Sequence, residues 1–165
     1  MPSFKSSAPS KSRVFNNGLG SKRPVKVLSS GTTYVLKGRE SGILLVLNNA
    51  FSSGFTITLP ADTAANIGFT CTIFVATNIS GTLSINAADD ADVMFGGMKL
   101  LRTSTGASRA FQPGAAVDGL TIDANTKGRL EGSVFDITIA AANVITVEGR
   151  GVFSGTAATA FADNS

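Results

Sequence analysis

The sequence contains no histidine and no tryptophan, and only one cysteine and one tyrosine among 165 residues. Without histidine the commonest general base, metal ligand and physiological pH switch are missing together. Ser-His-Asp and Cys-His catalytic sets are therefore excluded. The single Cys71 excludes an internal disulfide framework and a multi-cysteine zinc site. Its place in the run Phe69-Thr-Cys-Thr-Ile-Phe-Val75 assigns it to one face of a strand, as a buried and unreactive thiol. Tyr34 alone cannot supply the aromatic platforms that usually hold a sugar. Asp62, Asp118, Asp123, Glu131, Asp136 and Glu148 are scattered and form no catalytic motif. The chain is read as a non-enzyme with no cofactor.

Charge is also scarce, at 15% of residues against about 25% for an ordinary soluble domain. A low charge fraction on an apolar chain points to a surface covered by partners, hence to an oligomer or a component of an assembly. No stretch reaches the roughly 20 apolar residues of a membrane span, and the N-terminus lacks the apolar core of a signal peptide. A cytoplasmic product without a membrane partner is the expectation.

The most uneven feature is the distribution of sign. The first 39 residues hold eight of the fourteen Lys and Arg (Lys5, Lys11, Arg13, Lys22, Arg23, Lys26, Lys37 and Arg39) and no Asp or Glu. From Glu40 onward the balance is acidic. The net charge of +3 thus conceals a basic, Ser- and Pro-containing arm over 1–31 and a mildly acidic body over 32–165. Pro2, Pro9 and Pro24 discourage helix in the arm. Arg13-Val-Phe15 and Pro24-Val-Lys-Val-Leu28 are short apolar beads on it, able to enter a groove or to add as an edge strand to a neighbour. Lys5, Lys11, Arg13, Phe15, Lys22, Arg23 and Lys26 are the candidate partner-contact residues. Nucleic acid would reward such a string of cations by counterion release. With only Phe4 and Phe15 as aromatics, however, base stacking is not signalled, so an acidic protein surface fits better.

The body reads as short β runs separated by turn signals at roughly ten-residue spacing, which indicates an all-β fold, an antiparallel β-sandwich or barrel. Strands are expected at Thr33–Leu36, Gly42–Leu47, Phe55–Leu59, Phe69–Ala76, Gly81–Ile85, Gly119–Ile122, Gly132–Ala140 and Asn143–Glu148. Leu45, Leu47, Ile57, Leu59, Phe69 and Phe74 are the candidate core and oligomer residues. Ala61–Ile67 is read as one helical turn with Asp62 as its cap, and Asn86–Gly119 as loop. No solenoid period is visible. Asp89-Asp90-Ala91-Asp92 is the best candidate for an ion site, but lacks the Asp-x-Asp-x-Asp-Gly spacing with a distal Glu that calcium loops use. A solvated acidic turn is the plainer reading.

Three segments carry a family resemblance: Ser41-Gly-Ile-Leu-Leu-Val-Leu-Asn-Asn-Ala50, Gly54-Phe-Thr-Ile-Thr-Leu-Pro60 and Gly68-Phe-Thr-Cys-Thr-Ile-Phe-Val75. With Asn143-Val-Ile-Thr-Val-Glu-Gly-Arg-Gly151 and Ser154-Gly-Thr156, the chain resembles small β domains of marine and cyanobacterial tailed phages, generally head-decoration (cement) or virion-surface proteins. The match runs over 32–161 and is best in the first half. The long basic arm departs from it, as does a closing strand without Trp. The resemblance implies a non-enzymatic virion protein, made in the bacterial host cytoplasm, that binds the major capsid protein of an assembled shell, commonly as a homotrimer. A tail or head-fibre component, a small coat protein whose basic arm contacts the packaged genome, and a cellular β-rich binding module are the alternatives.

Overall fold

The computed structural model describes residues 23–123 and 126–163. Twelve strands follow in order: β1 (Val25–Leu28), β2 (Thr33–Val35), β3 (Ile43–Leu47), β4 (Phe55–Thr58), β5 (Thr70–Val75), β6 (Leu83–Asn86), β7 (Val93–Arg102), β8 (Ser108–Phe111), β9 (Gly119–Ile122), β10 (Val134–Ala141), β11 (Val144–Phe153) and β12 (Phe161–Ala162). A 3-10 turn, Gly38–Glu40, lies between β2 and β3. The fold is an all-β sandwich of two sheets, with strand orders β1-β3-β5-β10-β11-β7-β8 and β12-β9-β6-β4-β2. No helix among the described residues is long and apolar enough to cross a membrane.

The sheets are mixed, where the turn spacing suggested antiparallel pairing throughout. Strands β1 to β6 go alternately to one sheet and the other. Each lies parallel to the strand two before it, giving β1·β3·β5 in one sheet and β2·β4·β6 in the other. Parallel neighbours need a crossover, and here each crossover is a strand of the opposite layer. This winding leaves no sequence period because its turns differ in length. Val25, Leu44 and Thr72 stand side by side in one sheet, and Thr33, Thr56 and Ser84 in the other. The rest of the chain is mainly antiparallel hairpins, with β7 parallel to β11 over ten residue pairs.

Alternation of side chains across each strand builds the core. The larger sheet contributes Leu45, Leu47, Ile73, Val75, Phe135, Ile137 and Val147, and the smaller one Ile57, Leu83, Ile85, Leu120 and Ile122, all buried. Leu59 and Phe69 join the same cluster. Phe74 does not, because its register places it on the outer face, half-buried. Ser133, a fully buried polar residue, is satisfied on both sides. Its Oγ donates to Leu130 O and accepts from Val152 N, each at 2.8 Å, which ties β10 to the end of β11.

Two sequence expectations are corrected here. Asn86–Gly119, expected as loop, contains the ten-residue β7 and its partner β8. The Gly96-Gly97 pair and the charges resemble a loop, but β7 pairs parallel to β11 over ten residues, which gives its backbone groups a partner strand. Residues 61–67 form an isolated turn, closed by Asn66 and Ile67 N–H groups on Thr63 O. Asp62 does not cap it; its carboxylate accepts from Asn143 N across the fold.

Candidate binding face

Of the candidate contact residues, Lys5, Lys11, Arg13, Phe15 and Lys22 lie outside the described residues. Arg23 and Lys26 are inside, and both are engaged by the body. Pro24–Leu28 is not a free bead. Val25–Leu28 is an edge strand paired parallel to the chain's own β3, with Leu28 buried. The expected strand addition therefore occurs within one molecule, because the short link from Leu28 to β2 holds the bead at the uncovered edge of β3. Arg23 anchors its start. Nε donates to Gly42 O at 2.7 Å and Nη2 to Ile43 O at 3.0 Å and Thr72 Oγ1 at 2.7 Å. The Thr72 hydroxyl donates in turn to Asp136 Oδ1.

Lys26 alternates with Val25 and Val27 and so lies on the same side of β1 as Leu28. Its Nζ donates to Tyr34 OH at 2.7 Å and sits 4.1 Å from the ring centroid, and Tyr34 OH donates to Glu40 Oε1 at 2.5 Å. Burial raises the phenol's pKa, with the Glu40 hydrogen bond adding to this against the lowering effect of Lys26. Burial also pushes the Glu40 carboxyl up. The donors Tyr34 and Lys37 N–H and the charges of Lys26 and Arg39 outweigh it and hold Glu40 below its usual value. Lys26-Tyr34-Glu40 is a strut between β1, β2 and the 3-10 turn.

The outer face of the seven-stranded sheet follows from register, since paired residues share a face. One row runs Val27, Val46, Phe74, Val134, Arg150, Lys99, and the next Val25, Leu44, Thr72, Asp136, Glu148. The β1 half of this face is apolar and partly open to solvent. Val25 and Val27 are 58% and 55% exposed, and Leu44, Val46, Phe74 and Val134 are half-buried. Across four strands this patch is roughly 14 Å wide. The other half is charged, with a shallow depression of about 290 Å³ bordered by Val134, Asp136, Glu148, Gly149 and Arg150. The outer face of the five-stranded sheet is different. Its rows run Thr33, Thr56, Ser84, Thr121 and Val35, Thr58, Asn86, mostly neutral polar groups that suit water. The apolar half of the larger sheet is the face that gains by being covered.

Cys71 belongs to neither face. Burial pushes its thiol up to about 12, with Arg23 lowering it and Asp136 raising it by smaller amounts. The thiolate is the reactive form, so a disulfide reagent at pH 8 is expected to label Cys71 only after denaturant unfolds the chain. Fast labelling of the folded protein would contradict this placement.

The acidic turn is less uniform than its sequence suggests. Asp89 Oδ1 accepts from Ala91 N at 2.9 Å, and Asp89 and Asp90 are exposed. Asp92 is only 1% exposed, and neither of its carboxylate oxygens has a hydrogen-bond partner among the described residues. Burial first, then the charge of Asp62, raise its pKa to about 6. No group of three or more His, Cys, Asp or Glu among the described residues is placed to hold a metal ion. No family model matches the chain, and comparisons with curated proteins and with solved structures give no match.

Proposed function

We propose that this protein is a virion structural component that binds and stabilises an assembled protein shell, in the manner of a head-decoration protein. The observation that supports this reading is a juxtaposition at one edge of the larger sheet. The partly exposed apolar patch of Val25, Val27, Leu44, Val46, Phe74 and Val134 lies on and beside β1. β1 is also the strand into which the basic N-terminal sequence runs. Residues 1–22 carry Lys5, Lys11, Arg13 and Lys22 and no acid. An apolar face seats on a partner and displaces water, while the cations that precede it in the chain favour a partner with an acidic surface. Many copies on one lattice bind with an effective concentration no single contact needs to match.

Because β1 (Val25–Leu28) belongs to the body, the place of the cut decides what a truncation tests. A truncation at residue 30 removes β1, uncovers the edge of β3 and deletes the Arg23 anchor. A truncation at residue 22 leaves them all. Loss of 1–22 is expected to leave the melting temperature within about 2 °C of the full chain and to abolish co-sedimentation with shells of the coat protein stripped of this component. Loss of 1–30 is expected to lower the melting temperature by more than about 5 °C. Unchanged shell binding after removal of 1–22, or a protein inventory of purified particles without this chain, would overturn the reading. Near-stoichiometric copy number beside a larger coat protein separates decoration from a fibre, which needs only tens of copies.

A further inference from the structure

We propose that the β7–β8 hairpin is a docking surface for a second copy of this chain, and that it receives the neighbour's Asp89–Asp90 turn. This contact does not depend on the shell-binding reading. Residues 87–92 contain three Asp and no cation, whereas 93–117 contain Lys99, Arg102 and Arg109 and no acid. β7 joins the two regions. Val93 starts it beside the acidic turn, and Arg102 ends it at the hairpin.

Ten residues of strand separate the ends by roughly 30 Å. That is about three Debye lengths at moderate salt, so neither end neutralises the other within a molecule.

Each end is built to be met from outside. Residues 102–110 are exposed in unbroken succession, and the far edge of β8 pairs with no other strand among the described residues. Arg102 and Arg109 take part in no ion pair and donate no side-chain hydrogen bond among the described residues, and Asp90 accepts none. A notch of about 240 Å³ lies between the hairpin and residues 155–157, with Arg102, Arg109, Ser108 and Thr156 on its walls and Phe153 among its lining. A guanidinium pair over a notch suits planar recognition of carboxylates. The Asp89–Asp90 turn is exposed and flanked by small Ala88 and Ala91, so little side-chain bulk stands beside its two carboxylates. Ile67, 47% exposed, lies in the turn 61–67 at the same end and offers apolar contact beside it. Notch and turn are different patches, so the contact is heterologous and links copies head to tail, closing into a ring or extending as a row.

Charge exchange tests this directly. Sedimentation velocity of the full chain is expected to show self-association in about 50 mM salt that is lost by about 0.5 M. Arg102→Glu with Arg109→Glu, and separately Asp89→Asn with Asp90→Lys, are each expected to weaken it at least about tenfold. The Asn at 89 keeps the acceptor for Ala91 N, so the turn holds its shape. A 1:1 mixture of the two variants is expected to associate, and so is a single chain carrying both exchanges. That last variant guards against loss through misfolding, which unchanged melting curves check in addition. A wild-type chain that stays monomeric at low salt and high concentration would overturn the proposal. So would variants that associate like wild type, or exchanges that fail to restore association. Binding of a DNA oligonucleotide by the hairpin with no self-association would also overturn it and assign the notch to nucleic acid.

Discussion

Gly96→Ala is expected to cost the domain about 4 kcal/mol or more, a large share of the roughly 5–15 kcal/mol that holds a domain folded. Gly96 has φ +114°, a conformation that side chains resist, and a Cβ there would lie 2.1 Å from Val147 O. That oxygen is backbone of β11, locked in the ten-pair parallel ladder with β7, so it cannot swing aside. The chain must either break the ladder or move two strands apart. Gly97 next to it is the control. Its Cβ would meet Phe111 O at 3.2 Å, and its φ lies outside the restricted region, so Gly97→Ala is expected to cost about 1 kcal/mol. Denaturant melts of the two variants check the pair. Equal losses would mean that the glycines serve only as weak strand residues, and that the close approach of β7 to β11 is not what Gly96 permits.

Asp92→Asn is expected to act in the opposite direction, stabilising the protein by about 2 kcal/mol at pH 7. The sign follows from the raised pKa. A carboxyl that titrates near 6 in the folded state and near 4 when unfolded binds its proton more tightly in the fold. Below about pH 4 the group is protonated in both states and costs nothing. As pH rises from about 4 to 6 stability falls, and above about 6, where the folded state holds a buried charge beside Asp62 and Asp89, the loss is complete. The amide keeps the shape without the charge. The variant is therefore expected to melt about 4–8 °C above the parent at pH 7 and within a degree or so of it at pH 4. A gap that persists unchanged at pH 4 would contradict the assignment. Protonated, Asp92 gains a donor with the Asp62 carboxylate as the acceptor at hand. Asp62 also holds Asn143 N, so the pH dependence is expected to be read out at the β10–β11 turn.

How much of this was visible beforehand depended on range. The strand runs around Leu45, Ile57 and Cys71 were legible because alternation and turn residues are local signals, and these runs became β3, β4 and β5. β7 was not, since glycines and charges describe a loop until a parallel partner fifty residues away is known to lie beside them. Phe74 looks like its neighbours in sequence, but the register of β5 turns it outward. Arg23 and Lys26 looked like the rest of the arm. What separates them is the bare edge of β3, the carbonyls of Gly42 and Ile43, and Tyr34, none of which sequence spacing brings near. Sequence alone groups Asp92 with Asp89 and Asp90 as one acidic turn, and only burial distinguishes it.

By itself the sequence determined an all-β chain without histidine chemistry and with its cations gathered at one end, because composition, alternation and local charge are properties of residues and their near neighbours. Only the tertiary structure decided that the sheets are mixed, that the basic region gives its last residues to an edge strand, and that an apolar patch opens beside that strand. It also decided that the two ends of β7 carry opposite charge at a distance that prevents them from meeting. Each of these depends on which strands lie next to one another, and strand neighbours are fixed by long-range pairing that local sequence does not encode.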